Sequence, residues 1–210
     1  MSEEDISYFF CGTSDSITAE QIAAWRKKVV YWQILGDLPG ISRDSFKSAI
    51  FQAFASWQAV CDLSFAEAGN SSPDIIITTG RIDRSGGVLA WSELPDGSDR
   101  QLQQKYDTSE SFVIAMSPPR GKIDLLAVAT HEIGHALGLE HAANGSPDLM
   151  APIYQPGRRT PQPGDVARIQ KLYPKVMIPD PVPPTEETTV VIRITGATRI
   201  SVDGYKVEKL

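Results

Sequence analysis

His131-Glu132-Ile133-Gly134-His135-Ala136-Leu137-Gly138-Leu139-Glu140-His141 holds all three histidines of the chain within eleven residues. On a helix His131 and His135 lie one turn apart and share a face, so two imidazoles can converge on one metal ion. Gly138 can adopt the left-handed backbone that ends a helix and turns the chain, which would return His141 as a third ligand. Three neutral nitrogens leave a fourth tetrahedral position for water, the pattern of a catalytic rather than a structural zinc site. Glu132 follows the first ligand and would face the open side of the metal, where it can take a proton from water and hand it to a leaving amine.

Outward from this window, periodicity sets the flanking elements. Val29–Leu35 is β-branched and aromatic, stops at Gly36-Asp37, and reads as a strand. Between Ser42 and Val60 apolar residues recur at three and four, from Phe46 to Trp57, so an amphipathic helix is expected with Ser42 or Asp44 as cap. Asp74–Thr78 reads as a buried strand, Val88–Trp91 as an edge strand after the Ser85-Gly86-Gly87 turn, and Phe112–Met116 as a further strand. A second helix should begin near Asp124, carry the first two histidines and end at Gly138, and a last one should run from about Gly164 to Tyr173, closed by Pro174.

The 210 residues allow one sizeable domain and an appendage. A net charge of -6 argues against nucleic acid or an anionic membrane as the main partner. No stretch approaches the roughly twenty apolar residues of a membrane span. Met1–Asp5 is acidic and lacks the basic and apolar regions of a secretory signal, so any export address is expected elsewhere or already removed. Two cysteines, Cys11 and Cys61, leave the redox compartment open.

H-E-x-x-H-x-x-G-x-x-H is the metzincin signature. Ser146–Tyr154 (SPDLMAPIY) resembles the Met-turn and specificity-pocket wall of the matrixins, the matrix-metalloproteinase family. Trp25–Tyr31 resembles their opening strand, Gly87–Ala90 their substrate-binding edge strand, and Asp165–Tyr173 their closing helix. The resemblance covers roughly residues 11–174. It implies an α+β metzincin fold: a twisted, mostly parallel sheet with an antiparallel edge strand, an active-site helix, a Met-turn and a C-terminal helix. It also implies a zinc endopeptidase, with His131, His135 and His141 as ligands, Glu132 as general base and acid, and Met150 as an apolar floor. Pro152, Ile153 and Tyr154 would wall the pocket for the residue after the scissile bond, with Val128 at its base and an apolar preference. An extended substrate would pair with Leu89 and Ala90. The implied partner is a protein or peptide substrate, the implied setting is extracellular, and a monomer is expected.

In matrixins a second zinc is usually bound by histidines ahead of the active helix. Trp91 and Lys105 stand where two of those ligands would be, so that zinc is not expected. Asp83, the backbone carbonyls of Arg84, Gly86 and Val88, and the carboxylates of Asp107 and Glu110 match a matrixin calcium loop and offer hard oxygen ligands. The same residues also read as an ordinary turn with surface acids. Cys11-Gly12-Thr13-Ser14-Asp15 echoes the cysteine switch, in which a thiolate fills the open zinc position. Phe10 and Ser14 replace the arginine and proline of that motif, and a free thiol or a bond to Cys61 stay open.

The expected organisation is an N-terminal segment over 1–15, the metalloprotease-like domain over 16–174, a Pro-rich linker over 175–187, and a C-terminal β segment over 188–210 whose strands flank Gly196. Two other functions fit the window. A zinc amidase on a small substrate would normally draw its third ligand from a separate cysteine motif. A protease-like binding module would hold a partner without cutting it.

Overall fold

A computed structural model describes residues 23–175 and the backbone of 10–13. Contacts divide the chain into Met1–Val176 and Met177–Leu210, and every described residue belongs to the first unit. The Pro-rich stretch and the paired strands expected near the C-terminus lie outside the described residues.

Eleven elements follow in order: β1 (Phe10–Thr13), β2 (Val29–Leu35), α1 (Arg43–Gln58), β3 (Ser64–Glu67), β4 (Ile75–Gly80), β5 (Val88–Ser92), β6 (Leu102–Asp107), β7 (Phe112–Val113), β8 (Ile123–Asp124), α2 (Leu125–Ala136) and α3 (Pro163–Leu172). The main sheet has the order β1-β5-β6-β4-β2-β3. Strands β3, β2, β4 and β6 run parallel, and β5 is antiparallel to β6 with Trp91 opposite Lys105. Within residues 23–175 β5 is therefore the antiparallel edge of a mostly parallel sheet, as expected of the metzincin fold. Phe10–Thr13 adds a parallel strand on its outer side, with Cys11 in register with Ala90.

Packing explains these elements. In β2, Val30, Trp32 and Ile34 alternate inward, the period of a pleated strand. Along α1, Phe46, Ala49, Ile50, Ala53, Phe54 and Trp57 form the buried stripe, and the Ser42 hydroxyl accepts the Ser45 amide at 3.2 Å to cap the first turn. Trp32 stacks on Phe54 with ring centroids 5.5 Å apart, joining sheet to helix. Every residue of α2 is buried, because α1 and the sheet cover one side and the segment after Gly138 covers the other.

Two sequence expectations need correction. Only Phe112–Val113 of the Phe112–Met116 run pairs as a strand; Ile114 and Met116 are exposed by 41% and 64%, and the chain leaves the ladder toward Pro118-Pro119, which cannot donate to one. The helix expected to reach Val60 ends at Gln58, with the Val60 and Cys61 amides both folding back on the Trp57 carbonyl. Cys61 is a buried free thiol whose pKa burial raises to about 11, and the side chain of Cys11 lies outside the described residues.

Candidate metal centre

His131 and His135 sit in α2, and the helix stops at Ala136 because Gly138 takes φ +98°, a left-handed value that sends the chain back toward the histidine face. His141 then joins the pair. The Nε2 atoms of His131 and His135 are 3.1 Å apart, and those of His135 and His141 3.2 Å. Among the described residues these three form the one group of three or more metal-ligating side chains whose donor atoms gather within 4.8 Å.

Backbone carbonyls fix which nitrogen is available on the two helical histidines. His131 Nδ1 lies 2.8 Å from the Leu149 carbonyl and His135 Nδ1 lies 2.7 Å from the Leu139 carbonyl. A carbonyl only accepts, so each Nδ1 carries the proton and each Nε2 presents a bare lone pair. Burial lowers the pKa of His131 to about 4 and holds His135 well below the usual histidine value; burial, then the nearby Arg168 charge, lowers His141. Neutral imidazoles with lone pairs converging at these distances fit a divalent ion of zinc type.

Side chains from distant elements hold α2 from behind. Trp57 Nε1 donates to the Thr130 carbonyl at 2.8 Å, Gln104 Nε2 to that of Glu132 at 2.9 Å, and Trp25 Nε1 to that of Ala136 at 2.8 Å. The Tyr173 hydroxyl donates to the Leu137 carbonyl at 2.9 Å. Glu132 itself is 1% exposed. A Cβ on Gly134 would overlap the Met150 sulfur and the Trp57 ring, so Met150, fully buried, packs directly against the backbone of α2 between the two helical histidines.

The opposite wall is irregular. Buried Asp165, in the first turn of α3, accepts the Leu149 amide at 2.7 Å, the Met150 amide at 3.2 Å and the Gln162 amide at 2.9 Å. Arg159 clamps the fully buried Asp124 through two bonds of 2.7 and 2.9 Å, and the Asp124 amide donates to the Tyr154 hydroxyl at 2.8 Å. These bonds tie the segment after Gly138 to α3 and to the N-terminal end of α2.

One cavity opens beside the histidines. Leu89, Val128, Pro152, Ile153 and Tyr154, all singled out from sequence, line it together with His131 and Glu132. Ala90 does not; it is buried between β6 and β1. Ala127, Gln155 and Arg158 also line the cavity and were not anticipated, nor were the anchoring roles of Asp165, Asp124, Arg159 and Gln104. Asp124 and Asp165 carried a weak signal as acids at helix starts. Arg158 and Gln104 carried none.

Around the loop before β5, Asp83 Oδ2 accepts the Val88 amide at 3.0 Å, Asp107 Oδ2 the Asp83 amide at 2.9 Å, and Glu110 Oε1 the Gly86 amide at 2.6 Å. A Cβ on Gly87 would overlap the Asp83 carboxylate, and the Arg84 carbonyl accepts the Gly87 amide at 3.2 Å. Asp83 Oδ1 is buried without a hydrogen-bond partner. Burial, with repulsion from Asp107 and Asp83, raises the pKa of Glu110; around Asp107 burial acts in the same sense but is outweighed by hydrogen bonds from Asp83 and Ser109, which hold its pKa low. Lys105, opposite Trp91, donates to the Arg81 carbonyl at 3.1 Å. The Cys11 side chain lies outside the described residues.

Comparison with known proteins agrees with this geometry. The peptidase family described as matrixin matches residues 24–174. Human matrix metalloproteinase-19 is 32% identical over 183 residues, 79% of this chain and 34% of its own length. Human matrix metalloproteinase-16 is 32% identical over 76% of the chain and 28% of its length, and matrilysin of Felis catus 33% identical over 79% and 66%. The chain thus spans about a third of the first two relatives.

Proposed function

The chain belongs to the matrixin family, and on that premise we propose that residues 23–175 are a zinc-dependent endopeptidase domain cutting internal bonds of protein or peptide chains. The observation that carries this reading is the convergence of three histidine Nε2 atoms beside a buried glutamate and a largely apolar cavity. His131, His135 and His141 would hold the ion, which when bound lowers the pKa of water toward about 7 and polarises a carbonyl. Glu132 takes the proton of the attacking water and passes it to the leaving amine nitrogen, so the bond breaks without expelling an amide anion. Burial of Glu132 keeps bulk water from competing for that proton.

The walls contributed by Leu89, Val128 and Ile153 favour an apolar residue after the scissile bond. A substrate backbone would pair along β5, where Leu89 also reaches the cavity. The pairing of Phe10–Thr13 with that same strand supports a latent state in which the N-terminal segment covers the substrate edge. On this reading Cys11 would occupy the open metal position. Cys11→Ala should raise peptidase activity of the full chain; equal activity in both forms would remove the latency proposal.

Calcium at the Asp83 loop is part of the proposal, supported by the buried, unpartnered Asp83 Oδ1 and by the crowding of Asp107 and Glu110. An extracellular monomer is the setting that the family suggests. Among the described residues no helix is long and apolar enough to cross a membrane. The test is a peptide-library cleavage profile with zinc and with a chelator. Cleavage that chelation abolishes and zinc restores supports the reading; a zinc-loaded chain that cuts no peptide, even without its first fifteen residues, favours a binding module instead.

A further inference from the structure

Arg158 and Arg159 are neighbours with opposite electrostatic fates. Arg159 is neutralised by its two bonds to Asp124. Arg158, half-buried in the lining of the cavity, places Nη1 on two backbone carbonyls, Ser146 at 3.2 Å and Asp148 at 2.9 Å. Among the described residues no carboxylate lies within ion-pair distance of it. Carbonyls orient a guanidinium but do not cancel its charge, and three of its five N–H groups remain for another acceptor. Beside His131, Glu132 and Gln155 the rest of the lining is apolar, with Leu89, Val128 and Ile153 in its walls, so a charge held against those walls is weakly screened.

We propose that Arg158 lets this apolar pocket also accept a residue after the scissile bond whose side chain ends in a carboxylate, glutamate ahead of glutamine and lysine. The inference rests on the endopeptidase reading above and refines its pocket. Two methylenes of glutamate use the same apolar walls that accept leucine, and its carboxylate pairs with the guanidinium in a charge-assisted contact. Aspartate, one methylene shorter, would strand its charge among the apolar walls. Lysine would meet a like charge.

The experiment measures kcat/KM on peptides identical except for leucine, glutamate, glutamine or lysine after the scissile bond. It uses the zinc-loaded full chain, alone and with Cys11→Ala. Glutamate should exceed glutamine several-fold and lysine by about tenfold or more, with added salt eroding the glutamate advantage and leaving leucine unaffected. Arg158→Lys should keep that order, Arg158→Met should bring glutamate and glutamine level, and Arg158→Glu should turn the preference to lysine. If Arg158→Met loosens the Ser146–Asp148 turn and cuts nothing, the Arg158→Lys order and the salt dependence decide. Cleavage of leucine with glutamate no better than glutamine overturns this inference alone, as does a glutamate advantage that survives Arg158→Met. A zinc-loaded chain that cuts none of the peptides overturns the endopeptidase reading and this one with it.

Discussion

The two walls of the cleft are built by different means. One is α2, regular and buried on all sides, backed by α1 and the sheet and fixed through its carbonyls by Trp57, Gln104, Trp25 and Tyr173. The other, the irregular segment between Gly138 and α3, has little repeating structure and is held at a few points by buried carboxylates, Asp165 on the Met-turn and Asp124 through Arg159. The regular wall spreads its stability over many apolar contacts, so single changes there cost through volume. The irregular wall concentrates it in charge-assisted bonds, so single changes cost through stranded polar groups.

That contrast can be broken at the irregular wall first. Asp165→Ala would leave the Leu149, Met150 and Gln162 amides without their acceptor and Arg168 without its carboxylate. A loss of about 3 kcal/mol is expected, seen as a fall in Tm of roughly 10 °C in thermal unfolding. A change under about 1 kcal/mol would mean that the segment holds itself.

At the regular wall Gly134→Ala should cost about 1–3 kcal/mol by overpacking against Met150 and Trp57. Combining it with Met150→Ala should recover part of that loss in a double-mutant cycle, since the two share one contact. Strict additivity would show that Met150 does not touch the helix.

The smallest effect is expected at the loop before β5. Calcium should raise the Tm of the full chain, and Glu110→Gln should shrink that gain by about 1 kcal/mol, by removing one charged oxygen ligand and easing repulsion with Asp83 and Asp107. A calcium response identical in wild type and Glu110→Gln would assign these residues to an ordinary turn.

The same division governs what the sequence disclosed. Strand β2 and helix α1 were legible because burial of one face imposes periods of 2 and 3.6 on their residues, whereas α2, buried all round, was legible from its histidine spacing. Strand β6 was not, because buried Gln104 interrupts the apolar alternation of Leu102 and Tyr106, and the run reads as polar. The metal ligands and Gly138 stood out through spacing alone. Pro152, Ile153 and Tyr154 became visible only through family resemblance, since an irregular wall has no period to read. Its anchors were hidden for the same reason: the Asp124–Arg159 pair spans 35 residues and the Asp165–Leu149 bond 16, distances that no local pattern encodes.

The central claim is that the histidine cluster binds the metal and Glu132 moves the proton, two separable tasks in one helix. Zinc content and peptide turnover measured together on Glu132→Ala test it directly. One zinc per chain is expected, as in the wild type, with turnover reduced by about a thousandfold or more. A Glu132→Ala protein that keeps its zinc and cleaves at the wild-type rate would contradict it.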